Sequence, residues 1–306
     1  MIKRIGINLK YIGKTSIKYV SALYAVLGFV GTFTPLSDIY TGLLLKILPY
    51  TNAEEIPDIY LILGSLLVLL VTWLFISFIV TIRALKTTQI DVIEGNSGHK
   101  LYIQYGDIFS PDIVCKANER RNIVIPVNRC FDTIVDNNLV SETTLHGILF
   151  KRLYDKGKYD EHSLNCAIQS LLANVSAEDI TVNEKPSGNI RRYPVGTVVD
   201  LPMSDQEHYL LWALSTFDCN LKAHTSMQEY ALAVQKLIEA CNLESEGFPV
   251  LIPLVGTGLS RTKKDQKDVL KYLINAFRLN RTEINCDIHI VLRDDIKEVV
   301  SILESI

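Results

Sequence analysis

The sequence predicts an α/β protein: two N-terminal transmembrane helices, then a three-layer α/β/α domain with a mixed, mostly parallel sheet. Three observations carry this. Residues 59–82 form an apolar run without a charge. Downstream, apolar runs of strand length alternate with segments of helical period, which is the pattern of layered α/β folds. The loops after three of the predicted strands are polar or glycine-bearing, as ligand loops on such sheets are.

The run at 59–82 makes a helix of ~36 Å, enough to cross a hydrocarbon core of ~30 Å with some tilt. A second candidate span, 19–37, is uncharged but holds several small or polar residues and Pro35. Its basic flank also fits a signal peptide, although no convincing cleavage site follows. Residues 1–18, a basic tail, carry Lys3, Arg4, Lys10, Lys14 and Lys18 and no acid, and Arg83 and Lys86 follow the second span. The loop 38–58 has Lys46 against Asp38, Glu54, Glu55 and Asp58. Positive charge stays inside, so both chain ends face the cytoplasm and the loop lies outside. Neither span holds an ionisable residue to line an ion path, so the pair reads as an anchor. A basic tail beside an apolar run is a topology signal, and no nucleic-acid partner is expected.

Residues 83–98 read as a polar linker, ending in Gly95-Asn96-Ser97-Gly98. The domain is placed at 99–306. Residues 100–105 alternate polar and apolar like an edge or half-buried strand. Residues 122–127 are a continuous apolar run suited to a central strand. Leu145, Ile148, Leu149 and Leu153 share one helical face. A strand at 208–214 precedes a helix opened by the capping box Ser226-x-x-Glu229. A buried strand at 248–255, a helix at 269–277 and a last strand at 287–292 follow. Asp294 or Asp295 then caps a helix with Ile296, Val299, Val300 and Leu303 on one face. The long stretch 176–203 is the candidate mobile segment. The six cysteines, all in the C-terminal part, form no C-x-x-C pair, so reduced core thiols are expected and no metal or cofactor is implied.

Three strand-end loops are candidate binding segments. Asp107, in Gly106-Asp107-Ile108-Phe109, either builds the turn or accepts hydrogen bonds from a ligand. Asn128, Arg129 and Asp132 follow the second strand and either cap backbone or face a cleft. Gly256, Thr257, Gly258, Leu259, Ser260 and Arg261 follow the strand ending at Val255. Two glycines around a hydroxyl, with a helix beyond, form either a phosphate cradle or a plain turn. The G-x-x-x-x-G-K-[ST] pattern is absent, which argues against P-loop NTP hydrolysis.

Together, Gly106-Asp107-Ile108, Val127-Asn128, Tyr193-Pro-Val-Gly196-Thr197-Val198 and Pro253-Leu-Val-Gly256-Thr-Gly258 resemble a macro domain over roughly residues 98–306. With the N-terminal spans and Ser141-Glu-Thr-Thr-Leu145-His146-Gly147, the chain looks closer still to the membrane-anchored macro-domain effectors of bacterial (type II) Thoeris antiphage defence. The resemblance implies a multi-pass protein of the bacterial inner membrane with its macro-like domain in the cytoplasm. It also implies an ADP-ribose-derived signal, carrying histidine in this branch, made by a TIR-domain enzyme. Binding would drive homo-oligomer assembly, damage to membrane lipid and abortive infection. Asp107 would accept the adenine amino group, Ile108 and Phe109 would donate N–H groups or wall the base, and Gly256 to Leu259 would hold the diphosphate. The usual Asn-x-x-Asn is broken, because Phe131 stands where the second Asn is expected, and the glycine run is missing. That argues against ADP-ribosyl hydrolysis and for a distal pocket rebuilt from Arg129, Asp132, Ser141 and His146. His146 equally suits helix packing. A membrane-tethered ADP-ribosyl hydrolase and a nucleotide-sensing scaffold with a passive anchor are the alternatives.

Overall fold

The computed structural model describes residues 1–31, 41–42, 45–47, 57–95, 98–114, 120–255 and 265–304. The chain divides into two compact units, Met1–Thr87 and Thr88–Ile306.

The first unit holds helices α1 (Ile2–Ile7), α2 (Leu9–Gly31) and α3 (Asp58–Lys86). Helix α3 is long and apolar enough to cross a membrane, and it alone is so among the described residues. The expected first span is not matched by a second such helix. Residues 19–31 are the distal half of α2, whose proximal half carries Lys10, Lys14 and Lys18, and 32–37 lie outside the described residues. The basic tail is thus helical rather than extended. Ile12, Ser16 and Val20 recur every four residues on the buried face of α2, and α3 contributes buried Val80 and Ala84. Arg4 Nη2 donates to Leu85 O at 2.8 Å. Most of the loop 38–58 lies outside the described residues.

The second unit is built on a mixed sheet. Its strands are β1 (Gln89–Glu94), β2 (Lys100–Tyr105), β3 (Arg121–Asn128), β4 (Glu178–Asp179), β5 (Arg191–Arg192), β6 (Val198–Ser204), β7 (Glu207–Phe217), β8 (Ala223–His224), β9 (Val250–Pro253) and β10 (Ile288–Leu292). Main-sheet order is β1-β2-β10-β9-β3-β7-β6, with β8 paired to β7 and β4–β5 a separate ribbon. The five central strands run parallel, from β2 to β7, and β1 and β6 close the edges antiparallel. Helices α4 (Leu145–Asp155), α5 (Glu161–Leu171), α6 (Met227–Glu244) and α7 (Gln266–Leu279) cover the two faces.

Period-two alternation sorts the side chains between two cores. Val124, Leu210, Trp212, Val250, Ile252, Ile288 and Ile290 pack with α6 and α7 on one face. Ile123, Ile125, Val127, Leu211, Ala213, Leu251 and Val291 pack with α4 and α5 on the other. The Trp212 indole N–H is satisfied at Ala233 O, 3.1 Å away. Ser226 and Glu229 exchange both hydrogen bonds of the expected capping box.

Three expectations are corrected. The linker 83–98 carries the end of α3 and then β1, whose exposed edge pattern disguised a strand that pairs with β2. The C-terminal helix shrinks to a 3-10 turn at Asp294–Glu298 without a side-chain cap, and Val299 stays 51% exposed. The stretch 176–203 is clamped rather than loose, because Lys185 and Tyr193 within it are buried and hydrogen-bonded.

Candidate functional site

The carboxyl ends of β2, β10, β9, β3 and β7 open on a cleft of about 1010 Å³. That is the usual place for a ligand on a parallel sheet, and the size suits one. Its walls come from the segments just past those strands and from the first turns of α4.

Gly106–Phe109 forms one wall. Asp107 is exposed; its Oδ1 accepts from Phe109 N at 3.0 Å and its carbonyl from Ser110 N at 2.8 Å. The carboxylate therefore builds the turn, and Asp107 lines the cleft. Phe109 is buried, and the Arg152 guanidinium lies 4.2 Å over its ring, a cation–π contact.

Asn128 is buried at the end of β3. Its Oδ1 accepts from Cys130 N (3.0 Å) and Asp132 N (3.4 Å). The chain then turns sharply through Phe131, at φ 52° with its ring fully buried against Tyr193. That turn carries Arg129 and Asp132 out of the cleft wall, contrary to expectation. Arg129 Nε donates to Tyr193 O at 2.8 Å and Nη1 to Glu229 at 3.4 Å. Asp132 points inward to Lys185, with Nζ 2.9 Å from the carboxylate and both side chains 1% exposed. Asn189 N adds a bond to Asp132 Oδ1 at 2.7 Å, and Asn189 Nδ2 reaches the carbonyls of Cys130 and Phe131 at 3.1 Å. Burial pushes the Asp132 carboxyl up and the Lys185 charge opposes that rise. Gly188, at φ 82°, leaves no room for a Cβ against the Asp132 carboxylate.

The start of α4 supplies the facing wall. Thr144 caps the helix, Oγ1 accepting from Gly147 N at 3.1 Å and donating to Ser141 O at 2.7 Å. A Cβ on Gly147 would collide with the backbone of Ser141. Thr143, Thr144, Leu145 and His146, which open this helix, line the cleft. Ser141 and His146 both line the cleft. The His146 ring is buried edge-on against Phe150 at 4.5 Å, and burial lowers its pKa to about 3.

Of the residues expected at the site, Asp107, Ile108, Phe109, Asn128, Ser141 and His146 are brought together. Gly256, Thr257, Gly258, Leu259, Ser260 and Arg261 lie outside the described residues. Sequence reasoning passed over Asn137, Thr144, Arg152 and Lys222, which also line the cleft. Arg152 had a signal, since it follows Leu145 and Ile148 by seven and four positions on one helical face. Lys222 and Asn137 sit in turns and had none. No cluster able to hold a metal occurs among the described residues.

The sequence profile described as "Thoeris protein ThsA, Macro domain" matches residues 101–293. Thoeris protein ThsA of Bacillus amyloliquefaciens (strain Y2) is 30% identical over 165 residues, which cover 54% of this chain and 51% of that protein. The match therefore spans about half the length of that relative. A solved Oceanobacillus iheyensis macrodomain with MES bound aligns at 12% identity and a TM-score of 0.44, covering 71% of this chain and 94% of that one. A variant of the same macrodomain with ADPR aligns at 13% identity and a TM-score of 0.43, covering 69% and 92%. By the profile match over residues 101–293, the chain belongs to the Thoeris ThsA macro-domain family.

Proposed function

We propose that the chain is an antiphage effector whose cytoplasmic macro domain receives an ADP-ribose-derived signal, histidine-ADP-ribose, made by a TIR-domain partner. Its role is reception rather than hydrolysis. The observation that carries this reading is the cleft at the carboxyl edge of the sheet, walled by a helix N-terminus, in a member of this family.

In this reading Asp107 accepts the adenine amino group, and Ile108 and Phe109, backed by Arg152, wall the base. The N-terminus of α4 and the segment from Gly256 to Arg261 hold the diphosphate. Asn128, Ser141 and His146 face the distal portion, while Arg129 and Asp132 support that wall from behind. Segments 19–37 and 59–82 anchor the chain in the bacterial inner membrane, with 38–58 outside. Ligand binding favours an assembled state, and the gathered apolar helices disrupt the bilayer. A ligand shifts that equilibrium only by its preference for the assembled form.

The test is calorimetric titration of the full chain in detergent with ADP-ribose and its histidine conjugate, with oligomeric mass and product formation followed together. Binding with a rise in mass and no turnover is expected. Turnover without assembly would sink the effector reading, and binding without assembly would favour a scaffold.

A further inference from the structure

A second pocket, of about 380 Å³, lies within the first unit between α2 and α3. Its α2 wall is Tyr11, Thr15 and Tyr19, spaced every four residues and so on one helical face. That stripe runs beside the buried stripe Ile12, Ser16 and Val20. Val80, Arg83 and Lys86 form the α3 wall. The pocket is therefore the flank of the helix seam, with hydroxyl-bearing side chains on one side and cations on the other.

Nothing in the unit offsets those cations. No acidic side chain lines the pocket among the described residues. The unit's one described acid, Asp58, opens α3 while Arg83 and Lys86 stand in its last turn; Asp58 and Arg83 are about 38 Å apart along the axis. Lys10, Lys14 and Lys18 of α2 add positive charge at the pocket's end of the unit.

Its depth is set by the sequence. The apolar run of α3 ends at Ile82, so Arg83 stands at the hydrocarbon boundary. Lys86 lies about 4.5 Å beyond Arg83, and Val80 about as far within the apolar side. Tyrosines are the side chains that settle at headgroup level. On the inner side the surface is apolar, since Ile79 and Ile82 of α3 are exposed.

We propose that this pocket binds the phosphate of an anionic phospholipid. The proposal rests on the membrane reading above. Arg83 and Lys86 hold the phosphate oxygens, the hydroxyl-bearing wall of α2 faces them, and the acyl chains follow Val80, Ile79 and Ile82. A basic pocket between membrane helices on the cytoplasmic side is where such headgroups bind. A soluble phosphate would meet the same cations but leave the apolar surface uncovered.

The test is native mass spectrometry of the full chain in detergent, titrated with phosphatidylglycerol, phosphatidylcholine and glycerol 3-phosphate. The last supplies the phosphate without acyl chains. Phosphatidylglycerol should be retained in preference to phosphatidylcholine, and glycerol 3-phosphate should displace it poorly. Arg83→Gln with Lys86→Gln should weaken its retention roughly thirtyfold. Lys10→Gln with Lys14→Gln, which removes the same charge outside the pocket, should leave it nearly unchanged. Thr15→Phe, which fills the pocket and keeps every charge, should lower it. No preference for phosphatidylglycerol, an equal loss in Lys10→Gln with Lys14→Gln, or unchanged retention in Thr15→Phe overturns the site. Displacement by an equal concentration of glycerol 3-phosphate overturns the lipid assignment. Alkaline extraction of membranes from cells making the full chain reads the anchoring separately. A chain washed off refutes the membrane reading, and the lipid site falls with it; a chain that stays but shows no lipid preference refutes the site alone. Should the Arg83 and Lys86 variant fail to insert, Thr15→Phe and the lipid preference of the unsubstituted chain decide.

Discussion

Removing the Lys185 ammonium tests how the inner wall of the cleft is held. Lys185 and Asp132 are each 1% exposed and 2.9 Å apart. Lys185→Met leaves the Asp132 carboxylate buried without its cation, and Asn189 O loses the donor that reached it at 2.8 Å. Breaking one side of a buried pair costs about 3–5 kcal/mol, which for a domain of this size lowers Tm by roughly 6–20 °C. The combination Asp132→Asn with Lys185→Met should be clearly milder. The Asn oxygen still accepts from Asn189 N, and no charge stays buried. The sign with pH is fixed too. Asp132 already has its pKa raised by burial, and losing Lys185 raises it further. A raised carboxyl pKa contributes stability below its unfolded value, near 3.9, that is lost as pH rises, so the deficit of Lys185→Met should grow from pH 5 to pH 8. Urea unfolding of the full chain in detergent, read by Trp212 fluorescence in a Trp73→Phe background, measures all three. A deficit below about 1 kcal/mol, or a double variant no milder than Lys185→Met, would refute the account of the lock.

Burial holds the His146 pKa to about 3 and that of His289 to about 4, whereas the unfolded chain protonates near 6.5. Between those values the unfolded state binds more protons, so stability is complete above about pH 6.5 and falls as pH drops toward 4 and 3. The His146 part amounts to roughly 3–5 kcal/mol, and unfolding midpoints of His146→Phe across pH 4–7 should show a flatter slope. Asp107→Ala should weaken ADP-ribose binding by about 1.5–3 kcal/mol if the carboxylate meets the adenine amine; calorimetry reads this, and the exposed position predicts little loss of fold. Gly147→Ala should displace the Ser141 backbone and lower both thermal stability and ligand affinity, as differential scanning calorimetry and titration would register. Leu70→Arg, at the middle of α3, should raise the cost of insertion by about 2.5–3.5 kcal/mol, measurable as a fall in the membrane-integrated fraction.

The parts of the fold legible in the sequence are those whose cause is local. The capping box at Ser226 and Glu229 needs only four residues, and the strand 122–127 announces itself because both its faces are buried. The strand β1 was opaque, since Gln89, Asp91 and Glu94 are exposed and only pairing with β2 makes them a strand. At the chain end, Ile296, Val299, Val300 and Leu303 have helical spacing, yet Val300 is fully buried while Val299 is not, so tertiary packing broke the period after one turn. At the site, Asp107 and Asn128 were visible as polar residues past strands. The inward turn of Asp132 was not, because its partner lies in a polar stretch with no pattern of its own.

Asp132 and Lys185 are 53 positions apart, with α4 and α5 between them. Neither their contact nor the clasp of Asn189 on the carbonyls at 130 and 131 can close until those helices have packed, and closing so long a loop early returns little against its entropy. The inner wall of the cleft is therefore completed late, after the sheet and its covering helices exist. A chain still folding, or one damaged in that face, lacks the wall on which Asn128 is mounted. Competence to receive a ligand in this cleft thus certifies that the domain has finished folding.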